Sequence, residues 1–133
     1  MDTKEFTELM KNSAQDAVLF SQEAFQVELD FSISSVNSID QMIQQLSLQA
    51  LDNKALFTYS YMLGGYLGEV YIKTYSGHWL YEEETEDEPP QTFVVNGENT
   101  FAFPSKVYHA LIGTEDVSFT EYFKKISEST LEQ

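Results

Sequence analysis

The stretch Met62–Tyr81, MLGGYLGEVYIKTYSGHWLY, decides the fold that this sequence predicts. A helix is predicted from about Lys54 to Tyr75, and beyond its first residue Glu69 and Lys73 are the only charged residues. Apolar and tyrosine side chains nearly surround this helix. Because a helix that is apolar on almost every side must be covered on almost every side, we predict that it lies at the centre of the fold.

Three glycines interrupt the central helix at positions 64, 65 and 68. Each lowers helix propensity by about 1 kcal/mol relative to alanine. Gly64 and Gly68 lie one turn apart on one face, where the missing side chains let a neighbouring backbone approach closely. We therefore predict a close helix or sheet crossing. A phosphate loop is not predicted, since it needs its glycines between a strand and a helix N-terminus, followed by Lys and Ser or Thr.

A small antiparallel sheet is predicted after Gly77, which marks the end of the central helix. The predicted strands are His78–Tyr81, Thr92–Val95 and Thr100–Phe103. The Asn96-Gly97 pair is a strong turn signal between the last two strands. Alternation of large apolar residues predicts one buried face. Its members would be Phe93, Val95, Phe101 and Phe103.

Two helices are predicted before the central one. The first runs from Asp2 to Val27, with Asp2 and Glu5 as its cap. Helical spacing predicts its buried stripe at Phe6, Met10, Ala17, Phe20 and Ala24. The second begins in the cluster of serines at positions 32–38 and ends near Gln49–Asn53, with Asp40 on its water-facing side.

Two short helices are predicted after the sheet. Pro104 ends the third strand and admits a helix at Ser105–Leu111, and Ser118 with Glu121 forms a capping box for the last helix. The predicted fold is therefore α+β. Long N-terminal helices and a central glycine-containing helix pack with a three-stranded antiparallel sheet, followed by two short C-terminal helices. The whole chain, residues 1–133, is predicted to be one domain.

Charge and composition exclude several classes of function. The chain has 22 acidic residues against seven basic ones, a formal net charge of -15, and all seven bases are lysines. Without arginine and with a repelling field, direct binding of nucleic acid is not expected. Without cysteine there is no disulfide, thiolate metal site or cysteine nucleophile. No stretch has the length of a signal peptide core or a membrane span, so we expect a soluble cytoplasmic protein.

The run Glu82–Glu88 carries six acids in seven residues. It could be a solubilising hairpin tip, because neighbouring like charges favour a hydrated loop. A calcium loop of the EF-hand type would alternate its acids around a glycine, which is missing here. A third interpretation is an acidic finger that enters a basic cleft of a partner protein, beside aromatic anchors and the rigid Pro89-Pro90 pair. The residues predicted to bind the partner are Trp79, Tyr81, Glu82, Glu83, Glu84, Glu86, Asp87 and Glu88.

The sequence contains few candidate residues for a catalytic or a metal site. Glu69 lies in an apolar helix and could act as an acid with a raised pKa, but no nucleophile or second acid is fixed near it. His78 and His109 follow no metal-ligand spacing, and no nucleophile elbow is present. We therefore predict no catalytic residue, no metal ligand and no cofactor.

Three motifs of the second half of the chain resemble a known group of proteins. They are Tyr66-Leu67-Gly68-Glu69 in the central helix, Gly77-His78-Trp79 in the first strand, and Pro104-Ser105-Lys106-Val107 in the following helix. In this order they resemble a bacterial family of small uncharacterised α+β domains with a YLGE helix, a GxW strand and a P-x-K-V helix. Members are often encoded near toxin systems, so the resemblance implies the role of an immunity protein.

The function expected from these observations is non-enzymatic. The protein would neutralise a basic partner protein, with a bacterial toxin as the leading candidate. One alternative is a phage-type DNA mimic that inhibits a DNA-binding protein, although a mimic would spread its acids in two rows. Two further alternatives are a scaffold module with a small acidic footprint and a small enzyme that uses Glu69.

Overall fold

The computed structural model describes residues 2–131, the last two by their backbone only. The helices within that range are α1 (Thr3–Phe25), α2 (Val36–Ser47), α3 (Asn53–Tyr75), α4 (Phe103–Ile112) and α5 (Phe119–Leu131), with a single 3-10 turn at Ile33–Ser35. The strands are β1 (His78–Glu82), β2 (Gln91–Asn96) and β3 (Asn99–Phe101), paired antiparallel in that order. The predicted α+β fold is confirmed.

Helix α1 packs along α3 through a stripe of small and apolar side chains. The buried members of this stripe are Phe6, Met10, Ala14, Ala17 and Ser21. The helix begins as predicted, because the Asp2 carboxylate accepts a hydrogen bond of 2.8 Å from the Glu5 N–H. It ends two residues earlier than predicted, since Gln26 adopts a left-handed conformation with φ 56°. Ala24, predicted to be buried, is exposed.

Helix α3 is the centre of the fold, as predicted, and its three glycines face three different neighbours. A Cβ atom at Gly64 would lie 2.5 Å from Pro104 Cα of α4. A Cβ atom at Gly65 would lie 3.3 Å from the Met10 carbonyl oxygen of α1. At Gly68 it would overlap the indole ring of β1. The predicted close crossing is therefore confirmed, and it involves three neighbours, α4, α1 and β1.

One face of the sheet packs on the helices. A row of paired residues on this face crosses all three strands. Trp79 pairs with Val94, and Val94 pairs with Phe101. This register buries Thr92 and Val94 of β2 and leaves Phe93 and Val95 half-buried on the opposite face. The predicted phase of β2 was wrong, because every residue from 92 to 95 favours a strand and the buried indole of β1, one strand away, selects the inner side.

The chain leaves the sheet two residues earlier than predicted. β3 ends at Phe101, and Phe103 is the first residue of α4 rather than the last of the strand. Its ring stacks on Phe123 of α5 at 5.7 Å between centroids. Pro104 follows within the first turn, where an N–H has no helical partner and its loss is tolerated. The helix predicted at Ser105–Leu111 thus begins two residues earlier.

Helix α5 begins at a cap supplied partly by another helix. The Ser118 hydroxyl accepts a hydrogen bond of 3.2 Å from the Glu121 N–H, as predicted. Asp40 of α2 also accepts hydrogen bonds from the first turn of α5, at 2.7 Å from the Phe119 N–H. Asp40, predicted to face water, is half-buried, and its capping role was not predicted, because helical periodicity contains no information about which helix end lies opposite.

The acidic hairpin as a candidate partner interface

The acidic run forms the outer part of a β-hairpin, residues 82–91, called the acidic hairpin below. Strand pairing ends at Glu82 and Gln91. Three residues further out on both strands, the Thr85 N–H donates a hydrogen bond of 2.9 Å to the Glu88 carbonyl oxygen. No strand pairing is present between these two points, so the tip is joined across the hairpin by this single backbone hydrogen bond. Glu86 and Asp87 form the tip.

Thr85 organises the tip of the acidic hairpin. Its side-chain oxygen accepts hydrogen bonds from the backbone N–H groups of Asp87, at 3.3 Å, and Glu88, at 3.0 Å. The adjacent Pro89-Pro90 pair has no N–H to donate, so it cannot extend the ladder but restricts the backbone of the returning chain. The hairpin tip is thus held by local hydrogen bonds and by proline rather than by packing on the core.

All six carboxylates of the acidic hairpin are exposed. Among residues 2–131, none of these carboxylates forms an ion pair with a lysine. Six like charges on a short projecting segment produce a strong negative potential that no internal cation neutralises. The structure brings Glu82, Glu83, Glu84, Glu86, Asp87 and Glu88 together on this segment, as the sequence predicted.

Trp79 does not belong to this surface. Its side chain is 1% exposed and lies against Gly68, and its indole Nε1 donates a hydrogen bond of 2.9 Å to Glu69 Oε2. The prediction that Trp79 contacts a partner was wrong, because the ring is part of the core of the folded protein. Trp79 and Tyr81 lie two residues apart on β1 and therefore on the same face of the strand. Only Trp79 is buried.

Tyr81 is the accessible aromatic residue of the predicted set. It is 41% exposed, and its ring packs on Phe6 of α1 with 5.2 Å between the centroids. The contact fixes the ring at the base of the acidic hairpin. A partly exposed, immobilised tyrosine can contribute contact area to an interface at a low cost in side-chain entropy.

Two of the candidate residues, Glu69 and His109, have hydrogen-bond partners, and the third, His78, is exposed. Glu69 accepts the indole hydrogen bond of Trp79. His109 Nδ1 lies 2.8 Å from the Thr114 hydroxyl at the end of α4, and His78 is exposed at the start of β1. Within the described residues, no group of three or more His, Asp or Glu side chains could hold a metal ion.

A groove at the base of the acidic hairpin was not predicted. It has a volume of about 560 Å³ and lies between the first half of α3, the Pro89-Pro90 pair and the first turns of α4. We call it the proline groove. Residues of its lining include Phe57, Ser60, Tyr61, Pro89, Pro90 and Tyr108. Sequence reasoning missed it because its walls come from three separate segments. No local signal in the sequence marked it, because the exposure of Phe57 is a property of the folded chain.

Comparison with protein families, with curated proteins and with solved structures finds no match to this chain. The resemblance to an immunity-protein-like family therefore depends on the three sequence motifs. None of the helices in residues 2–131 combines the length and the apolar character that crossing a membrane requires.

Proposed function

We propose that this protein is a non-enzymatic acidic binding protein that neutralises a basic partner protein, a bacterial toxin being the leading candidate. The observation that carries the proposal is the acidic hairpin, with six exposed carboxylates that have no ion-pair partner among the residues described. Tyr81 lies at the base of the same segment as an exposed aromatic contact. Charge next to an aromatic anchor is typical of inhibitors that associate rapidly and tightly.

The shape of the acidic hairpin supports recognition of a cleft. The tip at Glu86 and Asp87 is ordered by Thr85, so fewer conformations are lost on binding than with a flexible loop. A net charge of -15 repels other polyanions over the whole surface and attracts a cationic protein at long range. Both features favour a positively charged protein cleft over a nucleic acid or an acidic substrate.

The test begins with recovery of the partner from native cells by affinity-tagged protein, followed by calorimetric titration of the two purified proteins. One variant replaces the six acids of the hairpin by their amides. A matched control replaces six exposed acids elsewhere and has the same net charge. These are Glu8, Glu23, Glu28, Glu98, Glu115 and Glu128.

We expect the hairpin variant to bind at least about tenfold more weakly, since several charge-assisted contacts are lost together. The control variant should keep most of the affinity and lose mainly association rate at low salt. Equal affinities for the hairpin variant and the wild-type protein would disprove the interface. For a toxin, saturation at a fixed ratio should abolish its activity. Displacement of the protein by DNA would instead support the alternative of a DNA mimic.

A further inference from the structure

We infer that the outer face of the β-sheet binds an apolar side chain of the cationic partner that has lysine or arginine on both sides of it. We call this surface, formed by Leu80, Phe93 and Val95, the outer sheet face. The inference rests on the proposed function, because it names a second contact surface for the same partner. It depends on the strand register, on the exposure of these three residues and on the charges around them.

The strand register places the three residues of the outer sheet face next to one another. Leu80 of β1 pairs with Phe93 of β2, so the two side chains lie opposite each other on one face. Val95 is two residues beyond Phe93 and projects from the same face. A cross-strand pair and its neighbour along the strand thus form one contiguous apolar patch.

This patch lies on the side of the sheet away from the core. The residues that alternate with it face inward, and Trp79 and Val94 are at most 1% exposed. Leu80, in contrast, is 39% exposed, and Phe93 and Val95 are half-buried. The solvated face of an antiparallel sheet ordinarily has polar side chains. Adjacent leucine, phenylalanine and valine at these positions therefore indicate a surface that a partner covers.

The charges around the patch favour a cationic partner. Residues 78–101, which contain the sheet and the acidic hairpin, carry seven acids and no lysine. Glu82 follows Leu80 by two residues and so lies on the same face, and beyond it the chain continues into the acidic hairpin. At the other end of the patch, Glu98 is exposed in the turn between β2 and β3. An apolar centre within a polar rim is the usual arrangement of a protein interface, and this rim is acidic.

A second copy of this chain does not match the outer sheet face. Two such faces packed together would bring two acidic rims into one interface, and no lysine of the sheet would lie between them. A partner with lysine or arginine around an exposed apolar side chain both buries the patch and pairs with its rim. Since Tyr81 lies on the opposite face of β1, a cleft that encloses the hairpin would contact apolar groups on both sides.

The experiment uses three acetylated and amidated peptides, Lys-Lys-Leu-Val-Leu-Lys-Lys, Lys-Lys-Ser-Ser-Ser-Lys-Lys and Gln-Gln-Leu-Val-Leu-Gln-Gln. Each is titrated at low salt into the ¹⁵N-labelled protein, and amide shifts give the affinity and the location. Both lysine peptides should shift amides of the acidic hairpin, and only the one with the apolar centre should also shift those of Leu80, Phe93 and Val95. It should bind about three- to tenfold more tightly than the serine peptide, because it buries apolar surface. It should also bind more tightly than the glutamine peptide, which lacks the charges.

Leu80→Thr combined with Phe93→Thr should remove the preference for the apolar centre, since threonine retains β propensity but has little apolar surface. The matched control is Leu19→Gln with Leu48→Gln, which changes two leucines that are 57% and 81% exposed on other elements. The control should keep the preference. Circular dichroism verifies the folding of each variant. Leu80→Thr alone takes the place of a double variant that does not fold, and it should reduce the preference.

Equal affinities of the two lysine peptides for the wild-type protein, or a preference that survives the threonine substitutions, would overturn the inference and leave the proposed function intact. Equal affinities of the lysine and glutamine peptides that share the apolar centre would overturn the cationic partner. Sedimentation equilibrium tests the second copy, since a dimer that Leu80→Thr dissociates would assign the face to self-association and overturn the inference. Failure of both lysine peptides to shift the hairpin amides would count against charge recognition itself, and so against both proposals.

Discussion

Asp40 of α2 caps the N-terminus of α5 by accepting a hydrogen bond of 2.7 Å from the Phe119 N–H with Oδ1. Its second oxygen accepts from the N–H of Thr120 at 2.9 Å and from the hydroxyl of Thr120 at 2.7 Å. One carboxylate therefore satisfies two of the N–H groups that a helix leaves unpaired at its start. Residues almost eighty positions apart are joined in this way.

Replacing Asp40 by alanine should lower the free energy of unfolding by about 1 to 2 kcal/mol, because the cap of α5 and its charge interaction with the helix dipole are lost. Asp40→Asn should lose less, since an amide oxygen can still accept. Urea unfolding measures both changes. Asp16→Ala, an exposed aspartate within α1, controls for helix propensity and should change stability by only a few tenths of a kcal/mol. Equal effects at the two sites would contradict a capping role.

The glycines of α3 should respond differently to alanine. Gly64→Ala places its Cβ 2.5 Å from the Pro104 backbone, and Gly68→Ala overlaps the Trp79 ring, so each should destabilise the protein by about 1 to 3 kcal/mol. At Gly65 the nearest atoms lie at 3.3 Å, and a gain of about 1 kcal/mol in helix propensity offsets a small shift. Thermal unfolding of the three variants tests this order. The prediction fails if Gly65→Ala is the most damaging.

Glu69 should act as a hydrogen-bond acceptor rather than as a charge. Glu69→Gln retains an oxygen for the indole N–H of Trp79 and should alter the free energy of unfolding by less than about 1 kcal/mol. Glu69→Ala leaves that N–H unpaired beside the core and should cost about 1 to 3 kcal/mol. The single tryptophan reports unfolding by fluorescence. A folded Glu69→Gln variant that has lost its biological function would instead favour the enzyme alternative.

Stability should fall at alkaline pH through Tyr66. Burial raises the pKa of this phenol above its ordinary value of 10.0. Between the unfolded and the folded pKa the native state holds a proton that the unfolded state releases. The contribution of Tyr66 to the free energy of unfolding is therefore present in full below pH 10 and is lost as the pH rises through the pKa of Tyr66 in the folded protein.

Tyr66→Phe separates this effect from the rest of the chain. The hydroxyl accepts a hydrogen bond of 2.8 Å from the Phe31 N–H, so the variant should be less stable at pH 8 by about 1 to 3 kcal/mol. Its stability should nevertheless decline less steeply from pH 9 to 12. Urea unfolding across this range provides the slopes, and an unchanged slope would contradict the assignment.

Much of the fold follows from local signals in the sequence. Asp2 caps α1, Gly97 begins the two-residue turn between β2 and β3, and the near absence of charge in α3 predicts a central helix. These signals act between neighbours in the chain. The buried face of β2 and the cap from Asp40 depend on which element lies opposite, and a single sequence contains no direct measure of that.

The candidate site was predictable in its charge and less so in its aromatic residues. A run of six acids must be hydrated wherever it lies, so its exposure follows from composition. Trp79 was misplaced because it shares a face of β1 with Tyr81, and the sequence does not show how far along the strand the core covers that face. The Trp79 indole packs against Gly68, where a Cβ atom would overlap the ring. In the sequence, Gly68 is a glycine within a helix, and nothing identifies the residue that packs against it.

The tip of the acidic hairpin is held by hydrogen bonds of Thr85 although six like charges repel one another along the segment. Neither a lysine of the described chain nor contact with the core relieves that repulsion. The segment is thus locally frustrated in the free protein, in the sense that its sequence opposes its own compact arrangement. A cationic partner would remove this frustration on binding, so part of the binding free energy would come from relief within the hairpin itself, in addition to the contacts formed with the partner.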